Sequence, residues 1–155
     1  MKNILIALDY GPSAIKVATK GKELAAQLGA KVILLHVVAE ASYYSSLNYS
    51  PITGFDSFSS MDILQEDTVE EVRKAAGAFL ERFSQNISLP DAERVVGSGD
   101  FADEILRVAV EKQADVVVLG SHSRKGFEKI LVGSVAQKVL RKSELPLFIV
   151  PIRNS

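Results

Sequence analysis

The sequence predicts an α/β protein: a three-layer sandwich in which helices cover both faces of a five-stranded, parallel, doubly wound sheet. Short apolar runs, rich in β-branched residues, alternate along the chain with longer segments whose apolar residues recur at helical spacing. Glycine or proline marks most of the junctions between them. The 155 residues suit a single domain, spanning residues 1–155, with a Ser/Tyr-rich insertion at about 39–60.

The first strand is predicted at Ile4 to Leu8 and ends at Asp9. The turn Gly11-Pro12-Ser13 then starts a helix, because proline suits the first helical turn, and Gly29 ends it as a C-cap. We expect Gly21 to let this helix lie close to the sheet. The predicted apolar face of the helix comprises Ala14, Val17, Ala18, Leu24, Ala25 and Leu28.

The second strand is predicted at Val32 to Val38, where His36 is expected to be a core histidine rather than a ligand. Residues 39–60 fit neither the strand period nor the helix period. The stretch from Ala41 to Ser60 contains seven serines and five aromatic residues. It follows a strand at the edge where doubly wound sheets bind ligands. Two interpretations stay open: a mobile surface loop, or a lid or partner contact anchored by tyrosines.

The middle of the chain predicts a long helix over residues 61–86 and a short strand from Glu93 to Val96. Gly97-Ser98-Gly99 is expected to turn the chain, and Asp100 to cap the next helix. The core face of that helix is predicted to be Ala102, Ile105, Leu106 and Ala109.

The stretch from Asp115 to Ser134 carries the candidate binding site. A buried strand, Val116 to Leu119, ends at Gly120, and a helix predicted over Val135 to Lys142 follows Gly133-Ser134. Glycines allow close backbone approach, and a helix start offers N–H groups and partial positive charge, so this arrangement suits phosphate. In the alternative interpretation the glycines only turn the chain, and neither the dinucleotide fingerprint nor the P-loop is present. The polar loop between strand and helix contains Ser121, His122, Ser123, Arg124, Lys125 and Gly126.

Composition excludes several classes of protein. With 47% apolar and 24% charged residues the chain can form a core and is not of the disordered type. A net charge of −1 argues against nucleic acid as a partner. The absence of cysteine excludes disulfides, thiolate zinc sites and a cysteine nucleophile. No apolar run approaches membrane-spanning length and the chain enters a strand at once, so a cytosolic protein without membrane contact is expected.

Four features resemble the universal stress protein family. They are Asp9 after the first strand, the Gly120-Ser121-His122 loop, Gly133-Ser134 at the last helix, and the closing strand Leu147 to Val150 followed by proline. The ATP-binding branch of that family has the pattern G-x2-G-x9-G-[S/T]. This chain matches it at Gly120 and Gly133-Ser134, with Ser123 in place of the second glycine.

The resemblance implies a Rossmann-like fold of the kind shared with adenine nucleotide alpha hydrolases, and an ATP site, or one for AMP or ADP, with Mg²⁺ beside a triphosphate. By position, Asp9 would contact the nucleoside and Val38 the adenine, although Asp9 could instead only cap the first helix. We expect the hydroxyl of Ser123 to donate to a phosphate oxygen, so that binding survives the lost glycine. The loop and helix residues implied around the phosphates are Gly120, Ser121, His122, Ser123, Arg124, Gly126, Gly133, Ser134 and Val135.

Three functions therefore compete. The favoured one is a cytosolic, ATP-binding regulatory protein of the stress response, and the second is a nucleotide-free dimeric scaffold of the same family. The third is an enzyme that hydrolyses ATP or transfers a nucleotidyl group, but no nucleophile–base pair, paired carboxylates or metal cluster can be identified in the sequence. Dedicated catalysis is thus not expected, while slow ATP hydrolysis stays open.

The last strand, Leu147 to Val150, is flanked by Pro146 and Pro151, which suits an edge of the sheet. An uncovered apolar edge favours self-association, and members of the resembled family pair through this strand. The sequence therefore predicts a homodimer that uses Leu147–Val150. A charge placed at Phe148 or Val150 is expected to give monomers or aggregate.

Overall fold

The computed structural model describes residues 2–9, 11–38, 54–121 and 133–152, and for residues 54–69 it describes the helical backbone alone. Within these described residues, nine elements alternate between strand and helix in the order that the sequence predicts. Their bounds are β1 Asn3–Leu8, α1 Ser13–Leu28, β2 Lys31–Val38, α2 Gly54–Asn86, β3 Glu93–Ser98, α3 Phe101–Glu111, β4 Val116–Gly120, α4 Ser134–Lys142 and β5 Leu147–Val150.

All five strands are parallel, and they lie in the order β3-β2-β1-β4-β5. The chain moves outward from β1 through β2 to β3, then returns to the other side of β1 for β4 and β5. The strand order therefore reverses between β1 and β4. In open α/β sheets this reversal leaves a crevice at the carboxyl ends of the strands, because the connections depart in opposite directions.

The core consists of two layers, because successive strand residues face opposite sides of the sheet. On β1, Ile4 and Ile6 pack with α1 and α2, whereas Leu5 packs with α3 and α4. All three side chains are fully buried. Burying one such side chain contributes about 1.5–3 kcal/mol to the stability of the fold. The predicted three-layer sandwich is thus confirmed, and β5 is an edge strand as expected.

Helix α1 lies directly on the centre of the sheet. A Cβ atom at Gly21 would be 2.5 Å from Cδ1 of Ile6, so only glycine permits this approach, as predicted. Gly29 ends the helix in the left-handed conformation, with φ of 64°, and its N–H donates to the carbonyl of Ala25. Leu28 was expected in the core but is 41% exposed. Helical periodicity selects a face, but it does not show where along the helix the sheet stops covering it.

Two predicted boundaries are wrong. Helix α2 begins at Gly54, so residues 54–60 are helical rather than irregular, while residues 39–53 lie outside the described residues. Pro51 is the last proline before α2 and Gly54 is its first residue, while the serines that follow oppose helix formation only weakly. Gly97 and Ser98 belong to β3, and the chain turns at Gly99, whose φ is 113°.

Candidate functional site

The end of β1 and the end of β4 lie side by side where the strand order reverses. Ile6 is paired with Val118, so Asp9 and Gly120, just beyond these residues, reach the same edge of the sheet. Asp9 and the β4–α4 connection were predicted to form one site. The parallel pairing brings these two strand ends together.

Asp9 holds the turn that leads into α1. One oxygen, Oδ1, accepts a hydrogen bond from the backbone N–H of Gly11 at 3.1 Å. Pro12 is the N-cap residue of α1 and no side-chain hydrogen bond caps the helix, so Asp9 organises the turn rather than the helix terminus itself. Oδ2 has no hydrogen-bond donor among the described residues. A half-buried carboxylate with one oxygen still able to accept can contact ligand hydroxyl groups.

Ser121 joins three elements at the end of β4. Its N–H donates to the carbonyl of Val150 at 2.9 Å, and its Oγ accepts from the N–H of Ile152 at 2.9 Å. Its carbonyl accepts from the N–H of Gly133 at 2.6 Å. This buried serine therefore ties β5 and the start of α4 to the end of β4. Its expected contact with phosphate stays a prediction.

Helix α4 starts at the same edge. Gly133 is its N-cap, with φ of −64° and ψ of 161°, an extended conformation that any residue can adopt. The N–H groups of Ser134 and Val135 have no acceptor among the described residues, as is usual for the first turn of a helix. Together with the helix dipole they favour an anion at this point. The backbone conformation therefore does not require glycine at 133, and its expected close approach to a ligand stays a prediction.

Val38 ends β2 on the other side of β1. It is buried, and its carbonyl accepts from the N–H of Gly99 at 3.0 Å. An apolar strand end of this kind can pack against the face of a purine ring. The edge of the sheet thus presents, in spatial order, an apolar strand end at β2, a carboxylate after β1 and a helix start after β4.

His36 is a core residue, as expected. Its Nδ1 lies 2.8 Å from the carbonyl oxygen of Leu8, and since a carbonyl only accepts, Nδ1 carries the proton. Its ring also meets the ring of Phe79 edge-on, with 5.7 Å between centroids. Burial lowers the pKa of His36, so the imidazole is neutral at neutral pH.

Part of the predicted site lies outside the described residues, namely His122, Ser123, Arg124 and Gly126. The same holds for the lid or partner role of residues 39–53. Within the described ranges, no group of three or more metal-binding side chains occurs. In those ranges the helices also lack any segment long and apolar enough to cross a membrane.

Sequence reasoning missed a charged cluster beside Val38. Glu104, on α3, accepts from the backbone N–H of Ser98 and is paired with Arg107. Arg73, from α2, donates to the hydroxyl of Ser98. The sequence signal that could have indicated this cluster is Gly97, because a glycine near the end of a strand often marks the close approach of another group.

These features define a doubly wound α/β protein whose candidate site lies at its strand-order reversal. The model of the universal stress protein family matches residues 1–151, so the chain belongs to that family.

Known relatives and solved structures of universal stress proteins are similar to this chain over nearly its whole length. Universal stress protein A of Escherichia coli (strain K12) is 30% identical, over 99% of this chain and 96% of that protein. The structure of UspA from Lactobacillus plantarum superposes with a TM-score of 0.74 at 18% identity, covering 96% of this chain and 97% of that one. A universal stress protein in complex with cAMP superposes with a TM-score of 0.58 at 20% identity, covering 96% and 95%.

Proposed function

We propose that this protein is a cytosolic regulatory protein of the stress response that binds an adenine nucleotide, ATP with Mg²⁺, at the carboxyl edge of its sheet. The observation that carries the proposal is the placement of Asp9 and the start of α4 next to each other at the strand-order reversal. The carboxylate of Asp9 can accept hydrogen bonds from ribose hydroxyls, and the N–H groups at the start of α4 can donate to phosphate. That a related protein forms a complex with cAMP, itself an adenine nucleotide, supports the choice of base.

In this proposal each strand end has a distinct role. Val38 would pack against adenine, and Oδ2 of Asp9 would accept from the ribose. The N–H groups of Ser134 and Val135 would donate to phosphate oxygens, while Gly133 leaves room for them. Gly120 and the loop residues His122, Ser123, Arg124 and Gly126 would complete the phosphate side.

Mg²⁺ would bind mainly through the nucleotide. It usually keeps several waters and takes one or two carboxylates plus phosphate oxygens. The described residues at this edge offer Asp9 and no cluster of carboxylates, which fits an ion held by a triphosphate and water. The ion would neutralise phosphate charge.

ATP binding is expected in the micromolar range in the presence of Mg²⁺, at about −8 kcal/mol for a dissociation constant near 1 μM. Calorimetry with the purified protein measures it directly. Denaturing the protein and separating the released small molecules by chromatography shows in addition which adenine nucleotide is resident. Neither heat nor a thermal shift at millimolar ATP would contradict the proposal and favour the nucleotide-free scaffold.

We further propose that the protein is a homodimer formed through β5, because the two edges of the sheet differ. At the β3 edge, Glu104 accepts from the N–H of Ser98 and so occupies the position that an added strand would need. At the β5 edge, the carbonyls of Pro146 and Val150 accept from the N–H groups of Val117 and Ser121, so the backbone of Leu147 and Ile149 points away from the sheet. An edge of this kind is available to a second copy of the chain.

Phe148 and Val150 differ as sites for testing the dimer. Phe148 is 37% exposed, whereas Val150 is 2% exposed and belongs to the core. A charge at Val150 would therefore unfold the protein. The expectation that a charge at either position tests the dimer is thus corrected: only Phe148 is suitable.

Phe148→Lys is expected to shift the protein from dimer to monomer at tens of micromolar, because it places two like charges at the shared edge. Sedimentation velocity measures the change. Val110→Lys is the matched control, since Val110 is an exposed apolar residue on α3 and not on the β5 edge. A wild-type protein that sediments as a monomer would contradict the proposal.

A further inference from the structure

Glu104 is the one buried carboxylate in the described part of the chain, with 9% of the residue exposed. It lies in the first turn of α3 and packs against Gly97 of β3. A Cβ atom at Gly97 would be 2.7 Å from both Cγ and Oε2 of Glu104, so the glycine makes room for the side chain. A charge this buried persists only where its partners satisfy it.

Two groups satisfy the carboxylate. Arg107 binds it through both oxygens, Nε to Oε1 at 2.6 Å and Nη2 to Oε2 at 2.9 Å, the bidentate geometry that arginine favours. The backbone N–H of Ser98 donates to Oε2 at 3.1 Å. These bonds, first that of Arg107, lower the pKa of Glu104, so the side chain is ionised at neutral pH.

The N–H of Ser98 faces away from the rest of the sheet. The next residue, Gly99, donates its N–H to the carbonyl of Val38, and backbone groups of successive strand residues point in opposite directions. Glu104 therefore supplies an acceptor that the sheet itself does not. From the other face of the sheet, Arg73 of α2 donates to the hydroxyl of Ser98. Ser98 is thus held by helices of both layers.

Ser98 and Gly99, which we call the β3 end, adjoin the base side of the candidate site. Ser98 is the register partner of Val38, and Gly99 is hydrogen-bonded to it. The φ of 113° at Gly99 is a conformation that glycine adopts readily and other residues rarely do, so the chain can turn here directly after Ser98. A shift of the β3 end would carry the end of β2 with it.

We propose that Glu104 is a positioning residue for the base half of the nucleotide site: by holding the β3 end it sets the place of Val38, against which the base packs. This inference rests on the proposed function. The start of α4, on the phosphate half, is tied to β4 through the bond between Gly133 and Ser121, in which Glu104 takes no part. Loss of Glu104 should therefore weaken contacts to the base and leave contacts to phosphate unchanged.

The test compares three ligands by calorimetry: ATP, adenosine and inorganic tripolyphosphate. Glu104→Leu should weaken ATP and adenosine about tenfold, and tripolyphosphate by less than about twofold. Glu104→Gln keeps an oxygen that can accept from Ser98, so it should restore most of the affinity. Glu111→Gln is the matched control, because it removes the other ion pair of Arg107, at 2.6 Å, without touching Ser98.

Equal weakening of ATP and tripolyphosphate in Glu104→Leu would show general destabilisation and overturn the positioning role. Unchanged affinity for all three ligands would overturn it as well. Glu104→Ala carries the comparison if Glu104→Leu does not fold, because it also removes the acceptor for Ser98: a selective loss for adenosine supports the role, and no loss opposes it.

Amide exchange of the ligand-free protein separates this inference from the proposed function. Faster exchange at Gly99 in Glu104→Leu or Glu104→Ala, but not in Glu111→Gln, would show that Glu104 holds the β3 end. Unchanged exchange at Gly99 would show that Glu104 does not hold the β3 end, whichever ligand the protein binds. A wild-type protein that binds neither ATP nor adenosine, with exchange at Gly99 still dependent on Glu104, would instead reject the proposed function and with it the role toward a base.

Discussion

Gly133→Val is expected to weaken ATP binding by about a hundredfold or more, which corresponds to ~2.7 kcal/mol. Gly133 precedes the open N–H groups of Ser134 and Val135, so a branched side chain would occupy the space through which a phosphate approaches them. The φ of −64° at Gly133 suits any residue, so the substitution introduces no backbone strain. Calorimetry with ATP and Mg²⁺ measures the loss, and thermal unfolding shows that the variant is folded.

Gly133→Ala is the matched control for this experiment. Alanine and valine are both poor N-cap residues, so each variant should lose a similar, small amount of helix stability. They differ by the two methyl groups that fill the space in front of the helix. Alanine should therefore cost much less affinity than valine. A folded Gly133→Val variant that binds ATP as tightly as the wild type would remove the start of α4 from the site.

Gly21→Val is expected to destabilise the protein by about 3 kcal/mol or more, the upper range for overpacking a core. A Cβ atom at Gly21 already lies 2.5 Å from Cδ1 and 2.9 Å from Cγ1 of Ile6, and 3.4 Å from Cγ1 of Val118. The two further methyl groups of valine would push α1 away from the sheet. Because 1 kcal/mol shifts the Tm of a domain this size by roughly 2–4 °C, a fall of roughly 6–12 °C is expected in thermal unfolding.

Gly77→Val provides the comparison. Gly77 also lies inside a helix, α2, but a Cβ atom there meets no atom of another element within 4 Å. Valine has a higher helix propensity than glycine, so this variant should be as stable as the wild type or gain a few tenths of a kcal/mol. Similar losses at Gly21 and Gly77 would mean that the close approach of α1 to β1 does not explain Gly21.

The element order and the core faces were largely predictable from the sequence, because they depend on local periodicity. Apolar runs of β-branched residues identified all five strands, and Gly29 and Asp100 marked helix ends where the structure has them. The start of α2 was not predictable in this way. Serine-rich segments carry weak propensities, and the start of a helix among them depends on the rest of the fold.

The candidate site was predictable only in part. Asp9, Val38, Gly120 and the start of α4 were expected there from the family resemblance, and the structure brings the corresponding strand ends to one edge of the sheet. The engagement of the Ser121 hydroxyl with Ile152 was not predicted. A serine in a polar loop has the same appearance in sequence whether it faces a ligand or joins two strands.

The sequence by itself determined the α/β class, the alternation of strands and helices, and which apolar residues of each helix face the core. Spacing along the chain decides these properties. The tertiary structure alone decided that β4 lies beside β1, that the two edges of the sheet differ, and that Glu104 meets Ser98. Such contacts join residues on different elements. They depend on which surfaces must be buried together and on where the chain returns, and local propensity carries no information about either.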